Sequence, residues 1–243
     1  MDYEIAAPEP ASLIEALRSI GYNLPTAIAD IIDNSIAAGA KSADVHLHWN
    51  GKDSYISIVD NGCGMSSTEL HEAMRPGSRN PLISRSEKDL GRFGLGLKTA
   101  SFSQCRKLCV LTRRSGSELA VRSWDLDYVA AEREWRLLTT PTAAAVPFLH
   151  TIKKQAKGTA IVWSTLDRIL ADDSVSGATA HARFNDAIDQ VRDHLALTFH
   201  RFIEDGSFSM KLNGRVVKPW NPFMENHPAT YRSPDEKIPF GDS

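Results

Sequence analysis

SYISIVDNGCGM, Ser54 to Met65, joins an alternating apolar run to an aspartate that is followed by two glycines. Alternation with period two marks a half-buried strand, so Ser54 to Asp60 is expected to be one that ends on a carboxylate. Gly62 and Gly64 let the backbone beyond it approach a flat ligand closely. A carboxylate at that point can accept a hydrogen bond from an amino group, and adenine offers one. Taken alone, the same residues also suit a plain turn, because Asn-Gly pairs are strong turn formers.

Upstream, ADVHLHW (Ala43 to Trp49) alternates in the same way, and Asn50-Gly51 between the two runs signals a hairpin. Before it a helix is expected from Leu24 to Ala38, with Pro25 tolerated in its first turn and Gly39 ending it. Asp30 and Asn34 lie one turn apart on that helix and share a face. A carboxylate can orient water for attack on phosphorus, and an amide oxygen is a hard ligand suited to Mg²⁺. The pair by itself is equally compatible with a solvated helix face. A first amphipathic helix fits Ser12 to Ile20.

Downstream, Ser66 and Glu69 form a capping-box pattern that opens a short helix to about Arg75. Arg75 to Phe93 is polar, contains Pro76, Gly77 and Pro81, and carries Arg75, Arg79, Arg85, Lys88 and Arg92. It reads as a lid that closes over a polyanion, with a solvated basic loop as the plainer alternative. GRFGLGLKTA (Gly91 to Ala100) follows, its glycines immediately ahead of a helix expected from Leu95 to Gln104. Free backbone N–H groups at such a junction receive phosphate. The spacing is neither the dinucleotide G-x-G-x-x-G nor the P-loop, since Leu97 precedes Lys98-Thr99. Lys98, in the first turn, can reach a phosphate oxygen as a point charge.

Further strands are expected at Leu108 to Arg113, Leu119 to Trp124, Trp135 to Thr139 and Thr159 to Ser164, then a helix from Ala178 to Ile203. Phe208 to Leu212 and Arg215 to Val217, around Asn213-Gly214, read as a second hairpin apart from the first sheet. At 243 residues, 42% hydrophobic and 24% charged, the chain is long enough to bury a sizeable core without staples. No run approaches a membrane span, and no apolar stretch follows a basic start, so a cytoplasmic location is expected. The three cysteines, Cys63, Cys105 and Cys109, lack zinc spacing. His46 and His48 share one strand face and are read as surface residues, there being no third ligand in pattern. A net charge of −2 offers no general pull on a nucleic-acid backbone, so nucleic acid would need other segments.

The order of these pieces, an acid-and-Asn helix, then D-x-G-x-G-M after a strand, then G-x-F-G-x-G opening a helix, resembles the GHKL superfamily of Bergerat-fold ATPases. IADIIDNSIAAGA is similar to the first motif of its MutL and MORC members, DNGCGM to its adenine motif, and GRFGLGLKTAS to its phosphate motif. KGTAIVW, Lys157 to Trp163, is similar to its fourth motif. The resemblance implies an α/β two-layer sandwich, with a mixed, mostly antiparallel sheet and helices on one face, that binds ATP with Mg²⁺. It assigns the general base to Asp30, the magnesium ligand to Asn34, and adenine contacts to Asp60, Gly62, Gly64, Met65 and Thr159. Phosphate contacts fall on Gly91, Phe93, Gly94, Leu95, Gly96, Leu97 and Lys98.

It further implies an N-terminal segment over 1–22, the ATP-binding domain over 23–170 with its lid at 75–93, and the start of a transducer-like domain over 171–243. An ATP-dependent homodimer is implied for an intact protein, with Met1 to Glu15 able to exchange between protomers. Two residues depart from the pattern: Asp30 stands where hydrolysing members usually carry Glu, and Ala37 where many carry an acid. Slow hydrolysis, nucleotide-gated binding without useful turnover, and an interaction domain without nucleotide are the three readings that follow.

Overall fold

The computed structural model describes residues 4, 8–19, 21–77, 96–170, 177–225, 227–231 and 233. Helix α1 (Pro10–Arg18) begins two residues before the expected Ser12, because Glu9 caps it, its carboxylate accepting the Ser12 N–H at 2.7 Å. Asn23 caps α2 (Leu24–Ala37) by accepting the Thr26 N–H at 2.9 Å, and Gly39, at φ +70°, turns the chain away. Strands β1 (Ser42–His48) and β2 (Tyr55–Asp60) pair antiparallel with Val45 opposite Ile58. Their connection is longer than a two-residue turn: Gly51–Asp53 form a 3₁₀ turn that the Ser54 hydroxyl ties to Asn50 and Gly51. Helix α3 (Ser67–Met74) has the full capping box expected of Ser66 and Glu69.

Helix α4 (Gly96–Phe102) leads to β3 (Lys107–Arg113) and β4 (Ala120–Asp125). Then follow α5 (Leu126–Glu132), α6 (Val146–Lys154) and β5 (Gly158–Ser164). Last come α7 (Ala178–Thr198), α8 (His200–Glu204), β6 (Ser209–Leu212) and β7 (Arg215–Val216). Three expectations need correcting. Trp135 to Thr139 is no strand: only Leu138 bridges to Ser123, while Trp135 sets its ring edge-on to Trp124 at 5.9 Å, so aromatic packing replaces a ladder. The long helix breaks at Phe199, whose φ of −105° and ψ of 15° end α7 before α8. The final hairpin is not separate, because β6 pairs parallel with β1, Ala43 opposite Met210. Asn213 extends that pairing, its carboxamide accepting the Leu47 N–H at 2.9 Å and donating to the Leu47 carbonyl.

One seven-stranded sheet therefore runs in the order β4-β3-β5-β2-β1-β6-β7, antiparallel except at β1–β6. Val45, Ile56, Ile58, Leu108, Val110, Ile161 and Trp163 face helical residues that include Ile14, Ile28, Ile31, Ile32, Leu70, Phe102, Val129 and Leu195. Each fully buried Ile or Leu there contributes about 1.5–3 kcal/mol. Alternate residues of the same strands, Cys109, Leu111, Ala160 and Val162, form a smaller core on the opposite face, where α6 covers them with Ile152. Helices thus dominate one face, and α6 is an addition on the other. Cys105 and Cys109 are buried, with thiols that burial pushes up, while Cys63 is exposed.

Candidate functional site

Strands β2, β3 and β5 all bring their motif residues to one end of the sheet, since Asp60 and Thr112 are both register partners of Thr159. Asp60 is only 6% exposed there. Its Oδ1 accepts the Gly62 N–H at 2.8 Å and its Oδ2 the Ser35 hydroxyl at 3.1 Å. Burial pushes this carboxyl up, against the hydrogen bonds from Gly62, Ser35 and the Thr159 backbone that favour its ionised form. A carboxylate has lone pairs to spare beyond these bonds.

The backbone around Asp60 is closely packed. Gly64 lies at φ +66°, and a Cβ on it would overlap the Arg113 carbonyl. Gly158, at φ +145°, faces the Asp60 carbonyl in the same way. Gly62 has slightly more room, its added Cβ falling 3.0 Å from Asp60 Oδ1. Thr112 closes the network: its hydroxyl donates to the Gly158 carbonyl at 3.1 Å and accepts the Met65 N–H at 3.0 Å. That leaves Thr159 as the donor of the 2.9 Å bond between the two threonine hydroxyls.

Helix α2 presents Asp30 at its middle and Asn34 in its last turn. Asn34 is exposed and Asp30 half-buried. The Tyr22 hydroxyl donates to Asp30 Oδ2 at 2.6 Å, and a Cβ added to Gly96 would stand 4.0 Å from the same oxygen. The first residue of α4 therefore lies against Asp30. Asp33, half-buried one residue before Asn34, is pushed up to about 6 by burial and by the charge of Asp30. Gly91, Phe93, Gly94 and Leu95 lie outside the described residues, as does the expected lid beyond Gly77.

Lys98 lies in the first turn of α4. It is 1% exposed, and its Nζ donates to the Ala73 carbonyl at 2.8 Å. Trp124 Nε1 donates to the neighbouring Met74 carbonyl at 3.0 Å, so two side chains cap the last turn of α3. Leu97 packs partly buried against the main core. At the far end of α4, Arg18 donates to the Phe102 and Cys105 carbonyls, each at 2.8 Å, and pairs with Asp167. Helix α1 is thereby fastened to the end of α4 and to Asp167.

Among the described residues no group of three or more His, Cys, Asp or Glu could hold a metal ion. His46 and His48 are exposed on β1 as expected, and His48 packs on Tyr55 at 4.8 Å. No described helix is long and apolar enough to cross a membrane.

Ser35, Thr112 and Tyr22 were not anticipated. Ser35 had a signal, being next to Asn34 in the same motif. Thr112 reaches the site from a separate strand, for which no local pattern exists, and Tyr22 bonds Asp30 from eight residues earlier, just ahead of α2.

In this α/β domain a buried carboxylate at a sheet end, Asp60, is linked by α2 to a second carboxylate, Asp30, beside the first residue of α4. Residues 22–159, more than half of the chain, match the histidine kinase-, DNA gyrase B- and HSP90-like ATPase family, and the protein belongs to it. It is a GHKL-type ATPase domain, and membership brings ATP binding and a nucleotide-driven activity. The chain is 32% identical over 109 residues to the DNA mismatch repair protein MutL of Anaplasma phagocytophilum, covering 44% of itself and 16% of that protein. It is 26% identical over 207 residues to the chaperone protein HtpG of Rickettsia canadensis, covering 79% of itself and 29% of the relative. With the ATPase morc-1 of Caenorhabditis elegans it shares 28% identity over 91 residues, 37% of itself and 10% of the relative. The chain thus spans less than a third of each of these relatives.

Proposed function

We propose that the chain binds Mg-ATP along α2, with adenine at Asp60 and the phosphates at α4, and hydrolyses it slowly. The observation that carries this is that one helix holds both ends together: Ser35 bonds Asp60 while Asp30 lies against Gly96. Asp60 accepts the adenine amino group, flanked by Gly62, Gly64, Met65 and Thr159. The backbone from Gly91 to Leu97 receives the phosphates, and the basic segment 75–93 covers them. Lys98, engaged with Ala73, supports that turn from beneath.

Asp30 orients the attacking water. Asn34 is exposed one turn away, and its amide oxygen fits Mg²⁺, which is held largely by phosphate and water and needs few protein ligands. The ion, when bound, offsets charge on the phosphates. Catalysis is then positioning and electrostatics. In this reading the nucleotide drives a conformational change or dimerisation, and relatives named for mismatch repair, for chaperone work and as an ATPase support an activity common to different processes.

The length of Asp30 favours a second reading, a nucleotide-gated binding module without useful turnover, because its carboxylate is one methylene short of a glutamate. Calorimetry with a non-hydrolysable ATP analogue and Mg²⁺ tests binding, and no heat of binding sinks both readings. Turnover separates them: Asp30→Ala should keep nucleotide affinity and lower kcat by about 10²–10⁴-fold. A mutant as fast as its parent removes Asp30 from the base position.

A further inference from the structure

We propose that Tyr22 is a positioning residue for Asp30, its hydroxyl holding the short carboxylate in one orientation against the first turn of α4. This rests on the reading of Asp30 as the water-orienting base. An aspartate's terminal torsion is broad, so its carboxylate orientation is set by whatever hydrogen bonds it accepts. Here the Tyr22 hydroxyl donates to Oδ2 at 2.6 Å, within the range of a charge-assisted O–H···O⁻ bond. Burial, then the hydrogen bond and charge of Asp30, push the phenol up to about 12, so it remains a donor at neutral pH.

Tyr22 is itself fixed. Its ring packs partly buried against the main core, and its carbonyl accepts Gln104 Nε2 at 3.0 Å. Gln104 is buried at the end of the α4 turn and also donates to the Ser103 hydroxyl at 2.9 Å. The Thr99 side chain of α4 hydrogen-bonds the same phenol. The hydroxyl therefore stands between the helix that carries the base and the helix that receives phosphate. A residue held from both helices can keep Asp30 in register with α4. No proton leaves Tyr22 in this role, so its effect falls on the rate of the step and not on nucleotide affinity.

The test is ATP turnover, nucleotide-analogue affinity and thermal melting of the purified 243-residue chain for Tyr22→Phe, Tyr22→His, Asp30→Ala and the Tyr22→Phe/Asp30→Ala double variant. Tyr22→Phe should lower kcat about tenfold while leaving analogue affinity and melting as in the parent. Tyr22→His, which keeps a donor, should fall between the two, and the double variant should be no slower than Asp30→Ala. Parent-like kcat in Tyr22→Phe, with turnover lost in Asp30→Ala, overturns the role of Tyr22 and leaves the base intact. A fall in kcat matched by lost stability or lost affinity makes Tyr22 structural and overturns it too. Undiminished turnover in Asp30→Ala, or a parent chain without turnover, overturns the base assignment and Tyr22 with it.

Discussion

Towards its C-terminal end α2 sets Ser35 against a buried Asp60, whereas Asp30, five positions earlier and about 7.5 Å along the axis, stands half exposed beside Gly96. At the Asp60 end the carboxylate and the threonines are held by several partners: Gly62 and Ser35 on the carboxylate, Thr159 and Met65 on Thr112. Around Asp30 one tyrosine hydroxyl holds the carboxylate, Asn34 one turn on faces solvent, and Asp33 is raised by burial and then by the charge of Asp30. Preorganised donors and acceptors discriminate one base edge from another with little reorganisation. A looser arrangement of like charges suits a step in which a polyanion and a cation arrive together.

The largest effect that would break this contrast is at Gly64. Gly64→Ala combines a φ of +66° with overlap onto the Arg113 carbonyl, so it should destabilise the fold by about 3 kcal/mol or more. Urea unfolding measures it, and a parent-like midpoint would mean that the Asp60 turn is not rigid. Asp60→Asn should be next. The fold persists, but an amide can turn its donor towards adenine's amino group, and losing a hydrogen bond to a charged group costs about 1.5–3 kcal/mol of binding. Calorimetry finding parent affinity would detach Asp60 from adenine.

The smallest effect belongs to Asp33. Its folded carboxyl is raised to about 6 from an ordinary 3.8, so the folded state holds the proton more tightly than the unfolded chain. Stability is therefore gained as pH falls from above 6 towards 4, and the ionised group costs stability above 6. Asp33→Asn should accordingly raise stability at pH 8 by on the order of 1 kcal/mol, after screening of a partly exposed group. The difference should shrink towards pH 4. Melting curves without divalent ions check this, and a pH-independent difference would mean that neither burial nor Asp30 raises the Asp33 carboxyl.

Local pattern alone determined the helix bearing Asp30 and Asn34, the strand ending at Asp60, and the capping box of Ser66 and Glu69. Those features are written in short-range periodicity, in caps and in glycines that backbone geometry demands. Lys98 shows where that reading stops, because whether a lysine in a first turn meets solvent or a helix end depends on what packs over it, here the last turn of α3. The final hairpin shows the same for strands: alternation marks Ser209–Leu212 as a strand, but a parallel partner in β1, Ala43 opposite Met210, is chosen by packing across the sheet. Tertiary structure also supplied Thr112, whose hydroxyl reaches Thr159 from a separate strand. A hydrogen bond between residues far apart in sequence leaves no periodic trace, since its geometry exists only after the core has brought the elements together.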